Sequence, residues 1–237
     1  MKDMKKFLKV QNLSYKYPDG HEALKNVSFE INSGEKIALV GANGSGKSTL
    51  LLILAGAVEQ SEGKIFLNDS EDSDFRRKKT GLIFQDSDDQ ILMPSVIEDV
   101  AFSPVADGMK LENAHKLAKK ILSSLGIEHL AMRVPHKLSG GEKRMVTFAG
   151  TLAAEPELLL LDEPTAALDP AARHRVIKFL KETKTAFLLA THDLEMAREV
   201  CRYAFIMSHG EISASGELPE LFDDEKILAR NNLAAFD

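Results

Sequence analysis

Cysteine is almost absent from this chain: Cys201 stands alone in 237 residues. One thiol permits no internal disulfide and suits a reducing compartment. It falls in a helical apolar pattern with Leu194, Ala197 and Val200, so it is read as core packing. Long apolar runs are missing too. No stretch approaches the roughly 20 residues that a membrane-spanning helix needs, and Met1 to Lys9 lacks the apolar segment of a secretory leader. Any membrane role is therefore expected to act through a partner. Positive charge is the scarcer sign, with Lys+Arg 30 against Asp+Glu 36 and a net charge of −6. A general nucleic-acid binder presents a basic surface to phosphates, so no nucleic-acid partner is expected. There is no His/Cys cluster with metal-ligand spacing. His21, His115, His129, His136, His174 and His209 are scattered and read as surface residues. No internal repeat and no low-complexity segment is present.

What is present is an alternation of strands and helices. Residues 7–31 read as strands, with Val27, Phe29 and Ile31 alternating with Ser28 and Glu30 and a turn at Pro18-Asp19-Gly20. Lys36 to Val40 is a short apolar strand, and Thr49 to Ala57 reads as a helix. Lys64 to Leu67 and Gly81 to Phe84 are further strands. Between them Asn68 to Lys79, acidic first and then basic, reads as a solvated loop. From Asp86 to Glu155 the pattern turns helical, as in Leu117, Ile121, Leu122 and Leu125. Strands return at 158–161, 186–190 and 203–207. The expected fold is α/β, a mostly parallel sheet covered on both faces, with an N-terminal antiparallel β region and an inserted α-helical subdomain. The expected division is a core of about 1–85 and 156–223, a helical subdomain of about 86–155, and a short helix or tail at 224–237.

Gly41-Ala42-Asn43-Gly44-Ser45-Gly46-Lys47-Ser48 matches the phosphate-binding-loop pattern in full, with a strand before it and a helix after it. Glycines let backbone N–H groups turn inward around a β-phosphate, and the helix N-terminus favours negative charge. Lys47 supplies charge to the β- and γ-phosphates, and Ser48 offers a hydroxyl to Mg²⁺. Leu158 to Leu161 is a buried-strand run ending in Asp162, at the sheet edge where an open α/β fold presents ligand-facing groups. Asp162 is suited to holding Mg²⁺ through a water, and Glu163 to polarising an attacking water. Gln85 and His192 also sit at strand exits. The amide can touch metal or water; the histidine can bond a γ-phosphate and position the base. A second glycine motif, Leu138-Ser139-Gly140-Gly141-Glu142, lies a short helix upstream of Asp162. With two phosphate grips in one small chain, one is expected to serve a nucleotide held mainly by another molecule.

In these motifs, and over nearly all of its length, the chain resembles the ATP-binding-cassette ATPases, whose P-loop NTPase (RecA-like) core matches the fold expected above. In that resemblance Leu138–Glu142 is the signature motif, Leu158–Asp162 the Walker B strand, Glu163 the catalytic base, Gln85 the Q-loop glutamine, Ala167-Leu168-Asp169 the D-loop and His192 the switch histidine. Thr49 joins Gly41, Asn43, Gly44, Ser45, Gly46, Lys47 and Ser48 in the nucleotide set. Tyr17, or its neighbour Tyr15, falls where the family stacks an aromatic ring on adenine. The resemblance implies ATP and Mg²⁺ as cofactors, the metal held by Ser48, Gln85 and Asp162. It also implies head-to-tail pairing with a second such ATPase domain, itself or a paralogue. Ser139, Gly140, Gly141 and Glu142 would then close over the partner's nucleotide, and Asp169 would contact the opposite subunit. Asp169 before Pro170 is equally a helix N-cap with proline at the first helical position. Glu142 stands where the commonest signature has Gln.

Phe84 to Gln90 and Pro94 to Phe102 resemble the ATPases of cobalt/nickel importers and of energy-coupling-factor importers. The resemblance implies an ATP hydrolase powering a membrane importer, for cobalt/nickel or a related micronutrient. It would be cytoplasmic and peripheral to the inner face of the membrane, meeting a transmembrane subunit through Gln85–Met93, with the apolar run Ile91-Leu92-Met93. The alternative is a soluble member of the family that remodels a protein complex, as in iron–sulfur assembly. A P-loop kinase has no use for Ser139-Gly140-Gly141, and a chromosome-condensation ATPase needs a coiled-coil insertion this chain does not have.

Overall fold

The computed structural model describes residues 6–84, 90–166 and 168–233. Its strands are β1 (Lys6–Lys16), β2 (Glu22–Asn32), β3 (Lys36–Val40), β4 (Glu62–Leu67), β5 (Thr80–Ile83), β6 (Leu158–Asp162), β7 (Ala186–Thr191), β8 (Tyr203–Ser208) and β9 (Glu211–Glu217). Its helices are α1 (Lys47–Leu54), α2 (Ser73–Lys79), α3 (Val96–Ala106), α4 (Leu111–Ser124), α5 (Gly140–Ala153), α6 (Pro170–Glu182), α7 (Leu194–Val200), α8 (Leu218–Phe222) and α9 (Glu225–Arg230). They group into two compact units, drawn from 1–82, 157–163 and 184–237, and from 83–156 and 164–183.

The first unit holds two sheets. β2-β1-β4 is antiparallel, and the second sheet runs β5-β6-β7-β3-β8-β9. In the latter, β6/β7, β7/β3 and β3/β8 pair parallel and β8/β9 antiparallel. β3 shows why the sheet is covered on both faces. Its side chains alternate, so Ile37 and Leu39 join Leu50, Leu54, Leu158 and Leu188 on one side. Ala38 and Val40 join Ala197, Ile206, Leu218 and Phe222 on the other. Such double burial explains why β6 and β7 read as unbroken apolar runs. In β2 the alternation holds one-sidedly, with Val27, Phe29 and Ile31 buried.

Register then sets the site. Val40 is paired with Thr191 and with Ile206, and Asp162 with Ala190. The C-terminal ends of β3, β6, β7 and β8 therefore finish at one edge of the sheet, and the segments leaving them carry Gly41, Glu163, His192 and the β8–β9 turn.

Three readings need correction. The segment 68–79 is not a loop throughout, because Ser73–Lys79 is α2. Asp72 caps it by accepting the Asp74 N–H at 2.9 Å. The acid-then-base order that suggested a solvated loop is the order that complements a helix dipole: Asp74 in the first turn, Arg76 to Lys79 in the last. Cys201 packs beside the Ala38–Val40 core cluster as expected, but as the extended residue that ends α7 rather than within it. β9 was not anticipated. It is an edge strand whose side chains are alternately exposed and half-buried, so its sequence carries little apolar signal.

In the second unit α3, α4 and α5 pack on one another, and α6 joins through Phe148 and Phe179, whose rings meet edge-on at 6.3 Å. In α4 the three-to-four spacing buries Ala114, Ala118 and Leu122. Among the described residues no helix is long and apolar enough to cross a membrane.

Candidate functional site: a phosphate loop and a capped glycine helix

The loop leaving β3 turns in little space. A Cβ on Gly41 would lie 2.3 Å from the Met207 carbonyl, and one on Gly46 2.6 Å from that of Ala23. Gly46 also has φ +105°, which a side chain would strain. Gly44 has open space around it and, like Asn43, is exposed. Gly46 stands at the N-cap of α1, so that helix begins at Lys47, two residues before the expected Thr49. The loop is braced from outside by Gly210, which donates its N–H to the Ser45 carbonyl at 3.0 Å and accepts from Lys25 N at 2.9 Å. Gly210 was missed by the motif reading. Its signal is a His-Gly turn between two strands, visible only once β9 is recognised.

Lys47 is buried, and its ammonium donates to the carbonyls of Gly41 at 2.7 Å and Ala42 at 3.1 Å. Burial lowers its pKa, while the nearby Glu163 and Asp162 carboxylates favour the charged form. The buried Ser45 hydroxyl has no hydrogen-bond partner, whereas Ser48, one turn on, is exposed. Tyr17 Oη meets Thr49 Oγ1 at 2.9 Å. Tyr17 is 36% exposed, while Tyr15 packs against the core and meets Tyr17 edge-on. Of the two tyrosines Tyr17 is the more exposed, and its ring also stacks with that of His21, the centroids 6.2 Å apart.

Glu163, just beyond β6, adopts φ +45°, a conformation uncommon for a residue with a side chain. Its N–H donates to the Ala190 carbonyl at 2.9 Å. Its Oε1 accepts the His192 backbone N–H at 2.9 Å and lies 2.6 Å from His192 Nδ1. Oε2 accepts the Thr191 hydroxyl at 2.9 Å. The His192 side chain is 71% exposed, and a proton on Nδ1 directed at Glu163 would leave Nε2 as the acceptor. Asp162 is buried at the strand end. Gln85, together with 86–89, lies outside the described residues.

In the helical unit the second glycine motif opens α5. Ser139 is its N-cap and forms a reciprocal capping box: Glu142 N–H donates to Ser139 Oγ at 3.3 Å, and Ser139 N–H to Glu142 Oε2 at 2.8 Å. Ser139 and Gly140 are exposed, and nothing lies within 4 Å of a Cβ placed on Gly140. A Cβ on Gly141 would lie 3.7 Å from Asp169 Oδ2, so Asp169 sits beside the motif. Asp169 also caps α6, accepting the Ala172 N–H at 2.8 Å, with Pro170 at the first helical position. The capping box explains why glutamate serves where glutamine is commoner, since either offers an oxygen to the N-cap N–H. The Ser139 N–H holds the Glu142 carboxyl below the ordinary 4.5. Its contribution is thus complete above that value and is lost as pH falls through the lowered folded-state pKa. Glu142→Gln is expected to leave thermal stability nearly unchanged. Glu142→Ala should lower Tm by about 2 °C at neutral pH. The Tm gap between wild type and Glu142→Ala should narrow in acid, and a gap independent of pH would count against this account.

A glycine loop between a parallel strand and a helix, with a buried carboxylate pair at the end of the next strand but one in the same sheet, defines a P-loop nucleotide-binding protein. The comparisons narrow the class. The family model described as "ABC transporter" matches residues 24–166. A putative ABC transporter ATP-binding protein of Geobacter sulfurreducens is 39% identical over 94% of this chain and 91% of its own length. The energy-coupling factor transporter ATP-binding protein EcfA of Methanothermobacter thermautotrophicus is 36% identical over 95% of this chain and 76% of its own. CbiO1 of Clostridium perfringens, part of the ABC transporter complex CbiONQ, superposes with a TM-score of 0.83 at 36% identity, covering 97% of this chain and 96% of its own. A dimeric ATP-binding cassette in a post-hydrolysis state, bound to ADP and Pi, gives a TM-score of 0.81 at 29% identity, over 89% of this chain and 98% of its own. The chain belongs to the ABC transporter family and is an ATP-binding-cassette ATPase.

Proposed function

We propose that this ATPase powers a membrane importer, and that ATP drives it into a head-to-tail dimer with itself or a paralogue. The observation that carries the reading is the exposed, capped N-terminus of α5. The capping box uses the N–H groups of Ser139 and Glu142 and leaves those of Gly140 and Gly141 at the helix start, which favours an anion. The dimeric cassette bound to ADP and Pi supports the pairing. Within the chain, Gly41 to Thr49 would wrap the phosphates, the Tyr17 ring would stack on adenine, and Lys47 would turn from its loop carbonyls to the β- and γ-phosphates. Glu163 would take the proton of the attacking water, and His192 Nε2 would face the γ-phosphate. Hard oxygen donors suit Mg²⁺, and the buried Asp162 and exposed Ser48 are of that kind; Gln85 would complete the set. Bound there, the ion would neutralise charge on the transferring phosphoryl group.

The likeness to EcfA and to CbiO1 supports an importer of the cobalt/nickel or energy-coupling-factor type, with this chain peripheral on the inner membrane face. The transmembrane subunit would dock on the region Gln85–Met93. Leu92 is 73% exposed there, although its N–H and that of Met93 are both held by Asp99 Oδ1, at 2.8 and 3.1 Å. A large apolar side chain presented on a pinned backbone suits a partner's apolar surface. Leu92→Asp is expected to reduce transport in the assembled complex by about tenfold or more and to leave basal ATP hydrolysis in place. Equal loss of both would count against a docking role.

A further inference from the structure

Thr191, the last residue of β7, is fully buried, and its hydroxyl is engaged twice. Its Oγ1 accepts the Asp193 backbone N–H at 3.0 Å. A hydroxyl has one proton and two lone pairs, so with Asp193 donating to it, that proton is free for Glu163 Oε2 at 2.9 Å. The two carboxylate oxygens of Glu163 are thereby divided. Oε2 is directed inward onto Thr191, while Oε1 is held at the edge with His192. Asp193 in turn caps α7, accepting the Met196 N–H at 2.8 Å. One hydroxyl thus ties the Glu163 side chain to the first turn of a helix.

The backbone of Glu163 cannot do this alone. A positive φ leaves the side chain's direction to its contacts, and Pro164 follows with no N–H to offer. Register makes the arrangement possible: Asp162 pairs with Ala190, so the residue after one strand lies beside the last residue of the other.

We propose that Thr191 is a positioning residue for ATP hydrolysis: its hydroxyl holds Oε2 and so fixes the rotation of the Glu163 carboxylate relative to the attacking water. The proposal rests on the reading of Glu163 as the base. A carboxylate held at one oxygen only spends less time aligned with the water, which lowers turnover without weakening ATP binding.

The test compares Thr191→Val, which keeps shape but not the hydroxyl, with Thr191→Ser, which keeps the hydroxyl. Glu163→Gln and the Thr191→Val/Glu163→Gln double variant complete the set. Turnover and KM are measured with ATP-Mg, and folding by thermal unfolding. Thr191→Val is expected to lower kcat by about 10- to 100-fold with KM within about twofold. Thr191→Ser should restore most of kcat, and the double variant should be no slower than Glu163→Gln alone. If Thr191→Val does not fold, Thr191→Ala replaces it under the same criteria. Wild-type kcat in a folded hydroxyl-free variant, beside a slow Glu163→Gln, overturns the proposal and leaves the base reading standing. Additive losses in the double variant overturn it as well, because a role outside the Glu163 step adds. Wild-type turnover in Glu163→Gln overturns both.

Discussion

Lys47→Ala is expected to lower ATP turnover on the order of 100- to 1,000-fold and to weaken ATP binding, as read by calorimetric titration. Lys47 is buried in the first turn of α1, and its ammonium rests on the carbonyls of Gly41 and Ala42. Those contacts hold a cation at the mouth of a loop whose N–H groups already favour anions. Desolvation opposes the charge, and Asp162 and Glu163 favour it. Alanine removes the cation and leaves the glycine turn, so the loss should appear in nucleotide chemistry rather than in folding. Thermal unfolding distinguishes the two. Unchanged hydrolysis by a folded variant would remove the P-loop assignment.

Glu163→Gln is expected to slow hydrolysis by about 100- to 10,000-fold, the span associated with losing a general base, while ATP still binds. The amide offers one acceptor where the carboxylate offers two. The Thr191 hydroxyl and the His192 N–H therefore compete for a single oxygen, and no group remains to take the proton from water. A site that binds ATP and does not consume it should accumulate as a dimer at saturating ATP-Mg, seen by light scattering. A variant that stays monomeric with the transmembrane partner also present would end the head-to-tail model. The two variants separate the roles: Lys47→Ala loses ATP, and Glu163→Gln retains it.

The phosphate loop was legible from the chain because its chemistry is local. Its glycine spacing is dictated by one backbone turn, and the carbonyls crowding Gly41 and Gly46 show why a side chain does not fit. The capping box at Ser139 and Glu142 is likewise written within four residues, although a signature motif and a helix cap share those letters and only the folded helix start shows the second. The segment 68–79 was misread because a charge pattern alone serves a solvated loop and a short capped helix equally well. β9 and Gly210 went unread because an edge strand buries little, so the chain carries a weak alternation there and no motif.

The sequence by itself determined which chemistry is available: a glycine turn before a helix, a carboxylate pair after a buried strand, and a second glycine helix start. These depend on neighbours within a few residues, where backbone sterics and period leave few options. Tertiary structure alone decided which of those groups meet. The pairing of Val40 with Thr191 and of Asp162 with Ala190 brings strand ends far apart in sequence to one edge. It sets Thr191 and His192 on the two oxygens of Glu163. Strand register is a property of long-range packing, because each strand must turn its apolar side chains to the same core, and no local motif encodes that choice.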